Sequence, residues 1–497
     1  MAGLKDVRDV LRGAIASVFG FGGRMIARAV LMIIAGRSFG SEALGVLGQV
    51  AAITEIAAMI AVMGLKRGLL DILSYEETAG RAVEAKILEA LSAAMLLSLV
   101  ISTITLILWY EFVPEQFSLA PLLFLGIPAL VFIEIALTAI KHKRIIGWDV
   151  WSRAVAEPWA FLLLTIIFLQ LGMLQHGLII AYLSSIAVAF IVVAIGFTRT
   201  YTLKNLMSAR PQRSNWVDVM KKSAPVAVTD IGYMALRRLD LLVLGRFVSP
   251  EAVGIYYMVQ QLATVPQKTY GLFEPMLSPV IASLHHKVEI RKIRSSLIGV
   301  CRWIFIIQIA ITIPMIVYGD ALLSVFGREF AMGAAVLTII LFAELVDGTF
   351  MPTETVLLFN RPKIPPILFV IALVIEVIAI AILSSQFGLI GAGMGFFIAV
   401  AFLAIGRLGM IQKHMGFGLI NKDYIKPALL AVVTISLMVG LRQTFQIQNG
   451  LLIIILFIFS IGFFLGSIRL VALTKTDQVL LRALGQKRRK NRATSNK

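Results

Sequence analysis

The 497-residue chain has a single cysteine, Cys301, so neither an intrachain disulfide nor a cysteine-based metal site can form. Histidine is scarce as well. His142, His176, His285, His286 and His414 are scattered, and the one adjacent pair lacks the i, i+4 spacing that puts two imidazoles on one helix face. No Gly-x-x-x-x-Gly-Lys-Ser/Thr loop is present, which excludes nucleotide hydrolysis by that route. Charge is the largest deficit: 15% of residues are charged and 59% hydrophobic, where a soluble domain carries about a quarter charged residues. So few charges cannot cover so much apolar surface in water. A soluble enzyme, a disordered chain and a secreted disulfide scaffold are excluded.

What the chain has in abundance is apolar sequence, with a mean hydropathy of +0.90. A spanning helix needs about 20 mostly apolar residues. Runs of that length recur from 13–35 and 41–64 through to 426–441 and 450–470, and predict about fourteen transmembrane helices in an all-α, polytopic membrane protein. Lys and Arg outnumber Asp and Glu by 46 to 28. With the N-terminus placed in the cytoplasm, 35 of these cations fall on cytoplasmic loops, their edges and the tail. The opposite face receives only Arg37, Arg246, Arg328 and Arg442. This bias predicts a multi-pass protein of the cytoplasmic (inner) membrane with both termini cytoplasmic. It also accounts for the basic balance without a nucleic-acid partner. The basic start followed by an apolar run reads as a retained first helix rather than a signal peptide. The cationic tail from Gln486 to Arg492 reads as an anchor near anionic membrane lipids.

An internal repeat sets the expected domain organisation. At an offset of 209 residues, Gly36, Arg37, Glu42, Ala43 and Gly45 fall on Gly245, Arg246, Glu251, Ala252 and Gly254, each set in a turn between two spans. Upstream, Gly23 and Arg28 fall on Gly232 and Arg237. An offset of six spans preserves orientation, so the repeat is parallel, about an axis along the membrane normal. The expected divisions are an N-lobe at 1–198, a basic cytoplasmic linker at 199–222, a C-lobe at 223–410, a helix pair at 411–470 and a basic tail at 471–497.

The stretch Leu239-Asp240-Leu241-Leu242-Val243-Leu244-Gly245-Arg246-Phe247, followed by Pro250-Glu251-Ala252-Val253-Gly254-Ile255-Tyr256, resembles a hallmark of one exporter family. It is the polysaccharide-exporter branch of the multidrug/oligosaccharidyl-lipid/polysaccharide exporter superfamily. Phe326-Gly327-Arg328-Glu329-Phe330 and the turn Asn360-Arg361-Pro362-Lys363 resemble it too. The resemblance implies a flippase that moves a polyprenyl-pyrophosphate-linked oligosaccharide across the membrane by alternating access, for assembly of O-antigen, capsule or exopolysaccharide. It implies lipid-linked oligosaccharide and membrane lipids as partners, with other polysaccharide-assembly proteins as further candidates. An ion-coupled exporter of small molecules or drugs from the same superfamily is the alternative. Outer loops are short, and Glu111 and Glu115 alone do not make a catalytic loop, so no enzyme is expected.

Charges inside spans mark the candidate site, because a buried charge costs a few kcal/mol even on insertion scales and turns toward a wet interior. Arg24 and Arg28 share one face of span one. Asp230, Tyr233, Arg237 and Asp240 form a stripe on span seven with Arg238 beside it, and Gln260, Thr264 and Lys268 form one on span eight. Arg24, Arg28, Arg237, Arg238, Tyr233, Gln260 and Lys268 are the expected substrate-binding set, with cations for phosphates and polar groups for the glycan. Glu55, Glu134, Asp230, Asp240, Glu344, Asp347 and Glu354 are buried acids that either bind a coupling H⁺ or Na⁺ or serve as counter-ions to the arginines. Neither a catalytic residue, nor a metal site, nor a cofactor is expected. Arg302 and Arg407 each stand alone on a helix and read as structural.

Overall fold

A computed structural model describes residues 2–112, 119–174, 176–209, 211, 215–286, 289–445, 450–474 and 477. The basic tail from Gln486 to Arg492 and Glu115 lie outside them. The described residues are overwhelmingly helical and contain no strand. Among the described residues, ten helices are long and apolar enough to cross a membrane. The chain is a polytopic, all-α membrane protein.

Two of those ten are doubled. The helix Ala2–Val62 breaks its helical geometry at Gly40 (φ 81°, ψ 177°), and Ile364–Met415 does so at Gly388 (φ 55°, ψ −127°). Both positions have positive φ, which glycine adopts without a Cβ clash. The loop expected between the first two spans is thus reduced to a single residue.

Spans seven and eight depart from expectation. The first is Trp216–Leu236 followed by the short helix Leu239–Leu244, with the chain broken at Arg237 and Arg238. The break ends the 3.6-residue period, so Asp240 does not continue the stripe of Asp230, Tyr233 and Arg237. The second is Pro250–Gln267 followed by Thr269–His286, with Lys268 at the join. Pro266 lacks an N–H to donate and its ring crowds the preceding turn, yet the Lys268 N–H still bonds to the Thr264 carbonyl at 3.2 Å. Span ten likewise divides into Ala334–Phe350 and Pro352–Asn360 at a proline.

Two compact units emerge: residues 1–258 with 325–330 and 376–392, and residues 259–324 with 331–375 and 393–497. In the first, helices approach closely through small residues, as membrane helices do in the absence of a hydrophobic drive between them. A Cβ at Gly64 would collide with the Ser223 carbonyl and Ala227, and one at Gly68 with Ser223. The same unit ties Arg37 Nε to the Val325 carbonyl at 2.8 Å and the Ser41 N–H to Glu329 Oε1 at 2.9 Å. In the second, Leu277, Ile281, Ile293, Leu297, Val356 and Ile411 share one core cluster, and Ile306, Ile313 and Phe464 share another.

Candidate functional site

A cavity of about 310 Å³ lies wholly within the first unit. Arg24 and Arg28 enter it together because four residues bring a helix back to the same face. Glu55 comes from the same doubled helix, Lys66 from Leu65–Thr78, Glu134 from Ile127–His142 and Tyr182 from Gly177–Thr200. Arg153 lies on a π-helical turn, Val150–Ala156, and Glu157 opens the helix that follows. Such turns insert one residue into the helical ladder and re-aim the side chains around it, which is why they recur at functional sites. Arg238 reaches the cavity from the break between Leu236 and Leu239.

The cavity therefore combines the cations Arg24, Arg28, Lys66, Arg153 and Arg238 with the carboxylates Glu55, Glu134 and Glu157. Two of the three acids are committed. Glu55 accepts from Arg238 Nε at 2.8 Å and from the Tyr182 hydroxyl at 3.3 Å. Glu134 pairs with Arg153 at 2.8 Å and with Lys66 at 3.7 Å. Neither Arg24 nor Arg28 has an ion pair or side-chain hydrogen bond among the described residues. Two guanidinium groups thus face a polar cavity with donors to spare, and a guanidinium fork matches a phosphate or carboxylate edge with two parallel bonds.

Residues 10–285, more than half of the chain, match the polysaccharide biosynthesis protein family. The chain belongs to that family. Every residue that lines the cavity lies within the matched segment. A 122-residue segment is 25% identical to the teichuronic acid biosynthesis protein TuaB of Bacillus subtilis, and spans about a quarter of each chain. Among solved structures, a lipid II flippase MurJ in an inward closed conformation superposes with a TM-score of 0.69 at 14% identity, covering 91% of this chain and 98% of that one. An inward-facing multidrug resistance transporter of the MATE family superposes with a TM-score of 0.67 at 13% identity, covering 80% and 98%. These likenesses establish the fold: that of membrane flippases and exporters.

The remaining sequence-predicted residues are placed elsewhere. Arg237 does not line the cavity and lies over the Tyr233 ring at 5.6 Å. Asp230 forms an ion pair with Arg67. Asp240 accepts from the Tyr256 hydroxyl at 2.9 Å and from the Leu241 N–H at 2.8 Å. Gln260 and Lys268 fall in the second unit, as do Glu344, Asp347 and Glu354. There Asp347 and Glu354 meet Arg407 at 3.0 and 3.6 Å, and Arg407 is 1% exposed. Arg302 is similarly held, by Asp477 and the Ala472 carbonyl.

Lys66, Arg153, Glu157 and Tyr182 are among the cavity residues that escape the sequence reading. Arg153 and Lys66 look like ordinary loop-edge cations, and Tyr182 like one aromatic in an apolar run. Glu157 lies four residues after Arg153 at the start of a span, a spacing that could have flagged both. Glu376 also escapes notice, although it is a lone acid in an apolar run. It is fully buried, neither carboxylate oxygen has a hydrogen-bond partner among the described residues, and its charged neighbours are Asp240 and Arg237. No group of three or more His, Cys, Asp or Glu side chains placed to hold a metal occurs among the described residues.

Proposed function

We propose that the protein is a flippase for a polyprenyl-diphosphate-linked oligosaccharide, moving its headgroup across the cytoplasmic membrane by alternating access for cell-surface polysaccharide assembly. The observation that carries this reading is the pair Arg24 and Arg28, two cations free of ion pairs among the described residues, in a cavity where cations outnumber carboxylates five to three. A cavity for cationic drugs would show the opposite imbalance. Moving a diphosphate through a bilayer is prohibitive unless fixed donors replace its lost hydration. The cavity volume of about 310 Å³ suits the diphosphate and its nearest sugar, with the polyprenyl tail left in the lipid. Membership of a polysaccharide biosynthesis family and a flippase-like fold support the same substrate class. The protein acts by binding and moving its substrate and makes or breaks no covalent bond in it.

In this reading the chain crosses the membrane fourteen times, the two doubled helices each counting twice and the broken spans seven and eight once each. The charge bias of the loops supports a cytoplasmic position for both termini. We assign Asp347 and Glu354 as counter-ions of Arg407, since both are engaged by it. A coupling H⁺ or Na⁺ then falls to acids outside that cluster. The test is cellular. In a strain lacking the native gene, Arg28→Ala at matched protein level should abolish surface polysaccharide and Arg28→Lys should restore it only in part. Normal surface polysaccharide from Arg28→Ala overturns the reading.

A further inference from the structure

The third cavity carboxylate stands apart from the other two. Glu55 and Glu134 are bound by Arg238 and Arg153 at 2.8 Å each. Glu157 lines the same cavity, and its carboxylate has neither a hydrogen bond nor an ion pair within 4 Å among the described residues. The cations that act on it most strongly are Arg24, Arg153 and Arg28, in that order. Conversely, among carboxylates Glu157 acts most strongly on Arg24. Pro158 follows it, and the π-helical turn ends at Ala156, so its backbone is fixed by both neighbours. Glu157 therefore shares the cavity with the two available guanidiniums and pairs with neither.

Resting on the proposed substrate class, we infer that Glu157 is a resident anion that competes with the substrate's diphosphate for Arg24 and Arg28, setting the affinity low enough for release. An arriving diphosphate takes the guanidinium donors and meets the repulsion of a like charge across the cavity. When it departs, Glu157 again supplies the field that the arginines lose. A site of arginines alone would hold a polyanion too tightly to let it leave. With Glu157 present, the ligand-free and ligand-bound cavities differ less in electrostatic energy, which is what a carrier passing between the two requires. Glu157 is a specificity-determining residue: it penalises a second negative charge and leaves a neutral headgroup unaffected.

The test measures binding of inorganic pyrophosphate to the purified full-length protein in detergent, by titration calorimetry at low salt. Removing a like charge a few ångströms away in a medium of intermediate dielectric should tighten binding by at least about tenfold. Glu157→Gln and Glu157→Ala should both show this, and Glu157→Asp should stay within about threefold of wild type. Glu251→Gln removes the same charge at an exposed helix start and should leave affinity unchanged. If Arg28→Ala abolishes binding while Glu157→Gln and Glu157→Ala leave it unchanged or weaker, the competitor role is wrong and the cation site stands. Equal tightening by Glu157→Gln and Glu251→Gln also overturns it, because net charge alone would then explain the effect. If wild-type binding is absent or insensitive to Arg28→Ala, the substrate reading fails and the inference fails with it.

Discussion

Gly45 and Gly254 pack against each other's helices, and neither leaves room for a side chain. A Cβ on Gly45 would overlap the Pro250 carbonyl, and one on Gly254 would overlap the Ser41 carbonyl. The two glycines, like Ser41 and Pro250, are separated by 209 residues, the offset at which the sequence matches itself. Alanine at either glycine must push backbone away from backbone, an overpacking cost of about 1–3 kcal/mol. Gly45→Ala and Gly254→Ala should each lower the thermal midpoint of the purified protein. Gly22→Ala, where a Cβ meets nothing within 4 Å, should not.

Arg407 gives the largest expected effect on stability. It is almost completely buried and bound to Asp347, with Glu354 beside it. Removing one partner of a buried ion pair leaves charge without compensation and costs about 3–5 kcal/mol. Arg407→Ala should therefore reduce the amount of folded protein in the membrane, as measured by size-exclusion fluorescence of a tagged protein. Combining Arg407→Met with Asp347→Asn and Glu354→Gln, which removes these three charges together, should recover most of it. Loss of folded protein in the triple variant as severe as in Arg407→Ala would contradict a purely counter-ionic role.

Arg237 and Arg238 are neighbours in sequence with different expected roles. Arg238 lines the cavity and holds Glu55 at 2.8 Å, whereas Arg237 stacks on Tyr233. Arg238→Ala releases Glu55 as a second unpaired anion and should weaken pyrophosphate binding by about tenfold or more. Arg237→Ala should leave binding within about threefold. Equal losses would mean that both arginines reach the ligand.

Helix content and membrane class were legible because they depend on local runs of apolar residues. Arg24 and Arg28 were legible for the same reason: two arginines four apart, deep in an apolar run, need a wet interior. The breaks at Arg237–Arg238 and at Lys268 were not, since periodicity extrapolates a helix until tertiary packing interrupts it. The stripe drawn through Asp240 fails at the first of those breaks. Pairings such as Glu55 with Arg238, 183 residues apart in the chain, carry no local signal at all. Arg153 shows a third kind of blindness: a cation at a span edge has the composition of a loop whether it faces water or a cavity. The acids Asp347 and Glu354 show a fourth. Their place in an apolar run marks them as buried, and their pairing with Arg407 carries no local signal.

The Tyr182–Glu55 hydrogen bond adds a smaller expectation. Tyr182 donates to Glu55 at 3.3 Å from within the cavity wall. Tyr182→Phe removes one hydrogen bond to a charged group, worth about 1.5–3 kcal/mol, and leaves the ring packing near Phe161 intact. The variant should fold, show a modestly lower thermal midpoint, and weaken pyrophosphate binding less than Arg238→Ala does. A larger loss of binding than in Arg238→Ala would place the hydroxyl itself on the ligand.

In the proposed function, Arg24 and Arg28 take up the diphosphate of a lipid-linked glycan. The most direct measurement is translocation in proteoliposomes of a fluorescent polyprenyl-diphosphate-linked sugar, scored by protection from an external quencher. Wild-type protein should move it, and the Arg24→Ala, Arg28→Ala double variant, reconstituted to equal density, should slow it by at least about a hundredfold, as expected when two charge-assisted contacts are lost. Undiminished translocation by the double variant would contradict the account.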